Sequence, residues 1–275
     1  MSRFKLIWHD IYCGLLRWRY LATILLFLIP CVTFWMQLQF YNTSGTWGDY
    51  LLYCFKGNQI IKSTAFSDIQ LPAQWLLMIG GCLYINLDYL LNDLTNAGQQ
   101  VIIRSGGKRE WYFSKCIWNF LSCLVYTILS CATVLLFAVL SRGNLSLANS
   151  PAIALAIYGN VIYEPIMLSV KNVLVLSVVL PFLSIAALSM LEMTLCLFVH
   201  PIISFVTCMF SLVLALFSNS PWVIGVGAMG IRSSLVMEGG TNPKVAAICA
   251  IVVIVMSIIV GCWRFKYTDI LGLEE

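Results

Sequence analysis

Long apolar stretches are the feature that most restricts how this chain can fold. A helix needs about 20 mainly apolar residues to cross the hydrocarbon core of a bilayer, which is about 30 Å thick. Stretches that meet or approach this length lie at 21–41, 73–91, 117–140, 173–199, 201–217 and 245–262. Only 10% of the 275 residues are charged, against about a quarter in soluble domains. The sequence therefore predicts an all-α integral membrane protein, a single transmembrane domain over residues 1–275 with six transmembrane helices.

The positions of lysine and arginine predict the orientation of these spans. If the N-terminus is cytoplasmic, ten of the 16 basic residues lie on the inner side and six on the outer side. Short cytoplasmic loops of membrane proteins carry such an excess of basic residues. We therefore expect a multi-pass protein of a bacterial plasma membrane with both termini in the cytoplasm.

The N-terminal segment shows a different pattern from the spans. In residues 3–19, Phe4, Trp8, Ile11 and Leu15 recur at helical spacing among charged side chains. This pattern is typical of an amphipathic helix that lies flat on a membrane with its aromatic rings at headgroup depth. An inward continuation of the first span is the alternative.

Two connecting segments are apolar without qualifying as spans. Residues 151–170 are long enough to cross, but Gly159, Asn160, Glu164 and Pro165 would leave a broken helix and an acid in the lipid. We therefore predict an external interfacial segment there rather than a seventh span. The glycine-rich segment "SPWVIGVGAMGIRSSLV" is predicted to form a hairpin or short external helices packed against protein.

A basic, aromatic segment interrupts the apolar pattern between the second and third spans. It reads "IIRSGGKREWYFSK" and belongs to a predicted cytoplasmic loop at 96–115. Two adjacent glycines break the chain, after which "KREWYFSKCIW" is predicted to restart as an amphipathic helix. Its aromatic rings can sit in the membrane interface or in a groove of another protein. An ordinary positively charged inner loop with an aromatic anchor is the alternative.

Catalytic and metal-binding patterns are not found in the sequence. The "SGGK" of the basic segment does not make a phosphate loop, because Ile102 stands where a glycine is required and Arg109 where serine or threonine binds magnesium. The cysteines lie mostly in apolar runs and form no zinc-like spacing with histidine. We therefore expect no enzymatic activity, no cofactor or metal in this chain, and no nucleic-acid partner.

The layout as a whole resembles the permease subunit of type-2 ATP-binding-cassette (ABC) exporters. "FKLIWHDIYCGLLRWRY" is similar to the amphipathic elbow helix of that family, and "NDLTNAGQQVIIRSGGKREWYFSK" to its cytoplasmic coupling helix between spans two and three. "SPWVIGVGAMGIRSSLV" is similar to its short re-entrant external helices between spans five and six. The chain departs from larger relatives because it has no fused ATPase and no large external domain.

The resemblance implies partners and a coupling role for the basic segment. ATP and magnesium would bind a separate cytoplasmic ATPase subunit, and a second copy of the chain or a sister permease would complete the transporter. Trp111 and Tyr112 would be buried anchors in a groove of the ATPase, and the basic residues would set register and on-rate. The residues assigned to ATPase coupling are Arg104, Lys108, Arg109, Trp111, Tyr112 and Lys115.

Two acids within the predicted spans are further candidate site residues. Glu192 lies about two turns from the inner end of the fourth span, and Asp88 lies near the exit of the second. A charge in the membrane is costly, so such residues often line a polar path or an interface. We predict a translocation pathway or a dimer seam, with an internally hydrogen-bonded carboxyl group as the alternative, which for Asp88 is the preferred interpretation.

The resulting functional hypothesis is an exporter permease driven by a partner ATPase. The small outer parts and apolar spans suit an amphiphilic cargo such as an antimicrobial peptide or bacteriocin, a lipid-linked compound or a drug. The alternative is a non-transporting immunity or assembly subunit that binds its target within the bilayer.

Overall fold

The described part of the chain is helical. The structure, a computed structural model, describes residues 18–40, 42–60, 71–87, 89, 107–150 and 167–267, together with Trp8, Tyr12 and Gly14. The α-helices are α1 Leu21–Phe40, α2 Trp47–Cys54, α3 Ala73–Asn86, α4 Lys108–Leu140, α5 Val170–Leu195, α6 Pro201–Phe217 and α7 Pro243–Tyr267. Turns of 3-10 helix occur at Trp18–Tyr20, Ile224–Ala228 and Gly230–Arg232, and α5 contains a π-helical segment at Val175–Val179. No β-strand occurs among these residues.

Among the described residues, four helices are long and apolar enough to cross a membrane. They are α1 with its preceding turn (Trp18–Phe40), α4, α5 and α7. The predicted spans at 73–91 and 201–217 correspond to α3 and α6, which have 14 and 17 residues. At 1.5 Å per residue these two helices are roughly 21 and 26 Å long, less than the hydrocarbon core. The prediction of an all-α membrane protein is therefore confirmed in its coarse form, and the count of six spans stays a prediction.

The helix α5 is the centre of the bundle. Two thirds of its most apolar window (67%) is buried, and it packs against α3, α4, α6 and, most extensively, α7. Small side chains line its buried surface, including Ser184, Ala186, Ala187 and Ser189. Small residues allow helix backbones to approach closely, and in lipid such packing replaces the hydrophobic effect as the force between helices.

The outward surfaces of the helices are apolar. On α7, the exposed side chains include Ile248, Val252, Val255 and Ile259, and α6 likewise exposes Ile203 and Phe210. A soluble protein would place such a continuous apolar surface inside a core. The bundle therefore has the exterior expected of a protein whose solvent is lipid.

At one end of the bundle, the short helix α2 is tied to the chain that follows α4. Thr46 begins α2 with a capping box, in which Asp49 N donates to Thr46 Oγ1 (3.2 Å) and Thr46 N donates to Asp49 Oδ2 (2.9 Å). Ser150 N donates to Asp49 Oδ1 (3.1 Å), and the Thr46 hydroxyl also lies 2.9 Å from the Ala148 carbonyl oxygen. Burial raises the pKa of the Asp49 carboxyl above its ordinary value, and these hydrogen bonds oppose that rise. The box therefore fixes α2 against a segment about 100 residues away in sequence.

We expect Thr46→Ala to lower the free energy of unfolding by about 1 kcal/mol, because the cap and the link to Ala148 are both lost. Thermal unfolding of the purified protein in detergent measures the effect. Thr43→Ala is the matched control, since Thr43 is exposed just outside the box. Equal stability of the two variants would contradict the role of the capping box.

The segment between α6 and α7 is folded into this same end of the bundle. Its two 3-10 turns are largely buried, and Gly230 N and Ile231 N donate to the carbonyl oxygens of Phe55 (2.9 Å) and Lys56 (3.0 Å). The indole nitrogen of Trp75 donates to the Ala228 carbonyl oxygen (3.3 Å). The prediction of short helices packed against protein is confirmed, and their re-entrant position in a membrane stays a prediction.

Most of the predicted elbow helix and of the segment at 151–170 lies outside the described residues. Trp8 and Tyr12 are helical and exposed, and Gly14 is buried against the indole ring of Trp118 on α4. A side chain on Gly14 would overlap that indole. This contact places Gly14 beside α4, about three turns from the start of that helix.

Candidate functional site at the basic end of the bundle

The start of α4 and the ends of α5 and α7 meet at one end of the bundle, which we term the basic end. It carries Lys108, Arg109 and Lys115 on α4, and Arg264 and Lys266 on α7. The helix α4 begins at Lys108, directly after the glycine pair, and continues without a break to Leu140. The predicted loop at 96–115 is thus helical from Lys108 onward. The predicted third span begins about two and a half turns later than the helix that contains it.

Trp111 and Tyr112 lock the first turn of α4 to α7. The Trp111 ring stacks on Phe265 with a centroid distance of 5.1 Å, and the Tyr112 ring also stacks on Phe265 at 5.9 Å. All three rings are fully buried. Gly261, one turn before Phe265, provides the space for the Tyr112 ring. Stacked aromatic pairs contribute about 0.5–1.5 kcal/mol beyond the area that they bury.

The Tyr112 hydroxyl also connects α4 to α5. It shares a hydrogen bond with Thr194 Oγ1 (3.2 Å). The Thr194 hydroxyl itself lies within donor distance of the backbone carbonyl oxygens of Met190 (2.8 Å) and Ser257 (3.1 Å). Because a hydroxyl has one proton and these carbonyls can only accept, Tyr112 is the donor to Thr194. One hydroxyl pair therefore joins α4, α5 and α7.

Lys115 lies inside the bundle rather than at its surface. Its side chain is fully buried, and Nζ lies 4.8 Å from the ring centroid of Tyr89 and 4.9 Å from that of Trp111. Tyr89 stacks in turn on Trp118, with a centroid distance of 3.7 Å. The negative faces of aromatic rings attract a cation at such distances. The rings thus help the bundle to accommodate an ammonium group about two turns inside α4.

The remaining coupling residues have different positions. Lys108 is half-buried and Arg109 is exposed at the start of α4, and Glu110, between them and the buried aromatics, is half-buried. Arg104 lies outside the described residues. We expected Trp111 and Tyr112 to insert into a partner, but their rings are buried in contacts within the chain. Phe113 is the aromatic of this group that is exposed, at 53%.

Glu192 is buried within the bundle, at 2% exposure. It faces a small cavity together with Asn86, Asn119 and Ser189. A side chain in this position offers no lateral surface to a second copy of the chain, so the interior location favours a polar path over the predicted dimer seam. Asp88, the other predicted acid, lies outside the described residues.

A family model described as a protein of unknown function, DUF2705, matches residues 49–271. The chain belongs to the DUF2705 family. The matched range begins within α2 and includes every later helix. It therefore contains the whole of the basic end, and also Arg232 in the segment between α6 and α7. Neither the curated proteins nor the solved structures contain a match to the chain.

Several residues that build the site of this DUF2705 protein were not among the sequence-based candidates. Phe265 and Gly261 receive the aromatic rings of α4, and Asn86, Asn119 and Ser189 surround the cavity beside Glu192. The asparagines could have been found, because an amide in an apolar span requires a hydrogen-bonding partner in lipid. Their mutual contact could not, since it depends on the rotation of α3 and α4 about their axes.

Proposed function

We propose that this DUF2705 chain is the permease subunit of an ATP-driven ABC exporter. In this proposal six helices, including α3 and α6, cross the membrane, and the basic end faces the cytoplasm. A separate ATPase subunit binds ATP and magnesium, and a second permease chain completes the pathway. The cargo is an amphiphile, of the class of antimicrobial peptides, lipid-linked compounds or drugs. The apolar exterior of the helices and the layout of the chain support the proposal.

The single observation that carries the proposal is the rigid connection at the basic end. Trp111 and Tyr112 bind the start of α4 to Phe265 on α7 and to Thr194 on α5. A force applied at Lys108 is therefore passed to three long helices together rather than absorbed by a flexible loop. Rigid-body movement of packed helices is a common way to convert a local event into a change of state. The aromatic pair then transmits movement instead of docking on the ATPase.

The docking surface in this proposal is the exposed side of the first turns of α4. Lys108 and Arg109 are partly accessible there, and Phe113 exposes an apolar ring beside them. An exposed aromatic next to basic groups is the combination that anchors a helix to a protein with an acidic rim. Arg104 remains a predicted contributor of charge.

We expect the double substitution Arg109→Glu and Phe113→Ala to release the ATPase. The reversed charge would repel an acidic groove and the alanine would remove the anchor. Binding should weaken roughly tenfold or more, since a loss of about 1.4 kcal/mol corresponds to tenfold. The measurement is co-purification of a phosphate-loop ATPase with the tagged chain from the cells that encode both, quantified by mass spectrometry.

The matched control is Lys171→Glu with Phe210→Ala. It makes the same two chemical changes at an exposed lysine and an exposed phenylalanine away from the basic end. This control should retain the ATPase and should match the test variant in thermal stability. Co-purification of the test variant at the wild-type level, or the absence of any phosphate-loop ATPase from the wild-type preparation, would refute the proposal.

A catalytically inactive ATPase separates the exporter from an immunity or assembly subunit. Transport requires hydrolysis, so export of the amphiphile should stop when the partner binds ATP but cannot cleave it. Protection of the cell that continues with the inactive partner would instead favour a subunit that binds its target in the bilayer.

A further inference from the structure

A cluster of buried polar side chains lies between the helices near the basic end. Its members come from the turn before α1, from α3, from α4 and from α5, and each is at most 8% exposed. We define the polar cluster as Tyr20, Asn86, Asn119, Ser122 and Ser189. Uncharged polar groups are costly in a membrane interior unless they bond to each other or to water.

The hydrogen bonds of the polar cluster form a series in which each group donates to the next, from Tyr20 to Asn119. Ser122 Oγ donates to Asn86 Oδ1, so Tyr20 Oη donates to Ser122 Oγ, at 2.7 Å. Asn86 Nδ2 donates to Ser189 Oγ and to Asn119 Oδ1, both at 3.0 Å. Ser189 Oγ donates to the same Asn119 oxygen, at 2.7 Å. The chain of donors therefore ends on Asn119.

These contacts use the oxygen of the Asn119 amide. Asn119 Oδ1 accepts from both Asn86 and Ser189. The amine of Asn119 therefore takes no part in the hydrogen bonds of the cluster in this structure. Among the described residues Nδ2 has no hydrogen-bond acceptor, although Asn119 is 1% exposed.

A cavity of about 10 Å³ lies beside this amine. That volume is close to the roughly 10–15 Å³ that a single water molecule requires. The residues that border it and bear on the argument are Asn86, Asn119, Ser189, Glu192, Met193 and Cys196. The Glu192 and Asn119 side chains thus bring a carboxyl group and an amide to the same cavity.

We propose that this cavity is a binding site for one water molecule, held by Asn119 and Glu192. The N–H groups of Asn119 would repel a metal cation, and the carboxyl group of Glu192 disfavours an anion. The volume excludes an organic ligand. Water accepts from Asn119 Nδ2 and hydrogen-bonds to the Glu192 carboxyl, which gives it the two or more polar partners that a buried water needs. The site adds a water molecule to the surroundings of an acid that is buried among apolar helices.

X-ray radiolytic labelling of the intact wild-type protein in lipid nanodiscs tests the proposal. Hydroxyl radicals formed from a bound water oxidise the methionine sulfur beside it to the sulfoxide, even when bulk solvent does not reach it. Met193 borders the cavity, and Met190 on the same helix is also buried (2% exposed, against 6% for Met193) but does not border it. We expect rapid oxidation of Met193 and none above background at Met190. Equal rates at the two methionines would overturn the proposal.

The source of the oxygen distinguishes a held water from open access to solvent. After rapid dilution into ¹⁸O-water, the exposed Met167 should incorporate the heavy isotope at once, and Met193 should follow with a delay. Simultaneous incorporation at Met193 and Met167 would overturn the proposal, because it would show a channel to bulk water instead of a site.

Asn119→Leu fills the cavity and removes the donor, and should reduce the oxidation of Met193 to the level of Met190. Ser130→Leu on the same helix is the control for added bulk and should leave the oxidation of Met193 unchanged, since Ser130 is buried away from the cavity. Undiminished oxidation in a folded Asn119→Leu protein would also overturn the proposal. If that variant does not fold, the comparison of Met193 with Met190 in the wild type still decides. The inference does not depend on the proposed transport function.

Discussion

Arg232→Met should lower the free energy of unfolding by about 4 kcal/mol, the largest loss that we expect from a single substitution in this protein. The Arg232 side chain is fully buried. Its Nε donates to the Asn58 carbonyl oxygen (2.8 Å), and Nη2 donates to those of Gln59 (2.9 Å) and Leu216 (2.8 Å). Nη1 donates to the carbonyl oxygens of Ser218 (2.7 Å) and Ala215. A guanidinium has five N–H groups, and here each has a backbone acceptor.

The position of these acceptors explains the size of the effect. Ala215 and Leu216 lie in the last turn of α6, where backbone carbonyls have no partner within the helix and carry the negative end of the helix dipole. Asn58 and Gln59 belong to the segment after α2. Burial lowers the pKa of Arg232 to about 10, so the group is charged at neutral pH. Methionine would fill the volume and leave five buried carbonyls without a donor, each costing about 1 kcal/mol or more before relaxation.

The measurement is thermal and denaturant unfolding in detergent. Arg232→Lys and Lys244→Met are the comparison variants. Lysine keeps the charge but offers three donors on one atom, so it should recover less than half of the loss. Lys244→Met makes the same type of change at an exposed site, the second residue of α7, and should have little effect. Wild-type stability of Arg232→Met would show that the carbonyl contacts do not hold the segment between α6 and α7 in place.

The positions of the long helices could be predicted from the sequence because they depend on one quantity, the length of apolar chain needed to cross lipid. The predicted span at 201–217 has the same bounds as α6, and the prediction at 21–41 differs from α1 by one residue. Proline at 201 marks the start of α6 directly, since its ring suits the first turn of a helix. These features are local, and no knowledge of packing is required to recognise them.

The helical restart at Lys108 after the glycine pair was predicted, but the unbroken continuation of that helix into the third span was not. The predicted span began only at 117, after the last charged residue of the basic segment, and an ammonium group in lipid is costly. The structure avoids part of that cost by enclosing Lys115 between Tyr89 and Trp111, so the helix continues through it. The helices are also apolar on most sides, which removes the periodicity that tells an inner from an outer face. Trp111 and Tyr112 were expected at a surface because of the resemblance to a coupling helix, and no periodicity in the sequence opposed that expectation.

Arg232 illustrates a second limit of sequence-based reasoning. Arg232 is one of the six basic residues counted on the predicted outer side, and the surrounding glycines suggested a hairpin or short helices. Its role as a clamp depends on carbonyl groups from two segments, one about 15 and the other about 174 residues away. Every residue has a backbone carbonyl, so the residue types in the sequence do not show which carbonyls will accept hydrogen bonds from Arg232. The proposed water site beside Asn119 was missed for a different reason, since the contact between its side chains depends on the rotation of α3 and α4 about their axes.

Gly261→Ala should lower the free energy of unfolding by about 2–3 kcal/mol, although alanine is the better helix former. A methyl group at this position on α7 would overlap the Tyr112 hydroxyl and the ring carbons beside it. To make room, the ring would have to leave Phe265 and give up its hydrogen bond to Thr194. Thermal unfolding measures the loss. Ile259→Ala, at an exposed position on the same helix, is the control and should cost much less in detergent.

A double-mutant cycle tests whether the effect comes from Tyr112 itself. In a Tyr112→Leu background the overlap is absent, so Gly261→Ala should become neutral or stabilising by up to about 1 kcal/mol, the difference in helix propensity between the two residues. An equal loss in both backgrounds would contradict the proposed contact. The same single variant separates docking from transmission in the proposed exporter. Because Lys108, Arg109 and Phe113 are unchanged, the ATPase should still co-purify, but export should fall because the start of α4 is no longer fixed to α5 and α7.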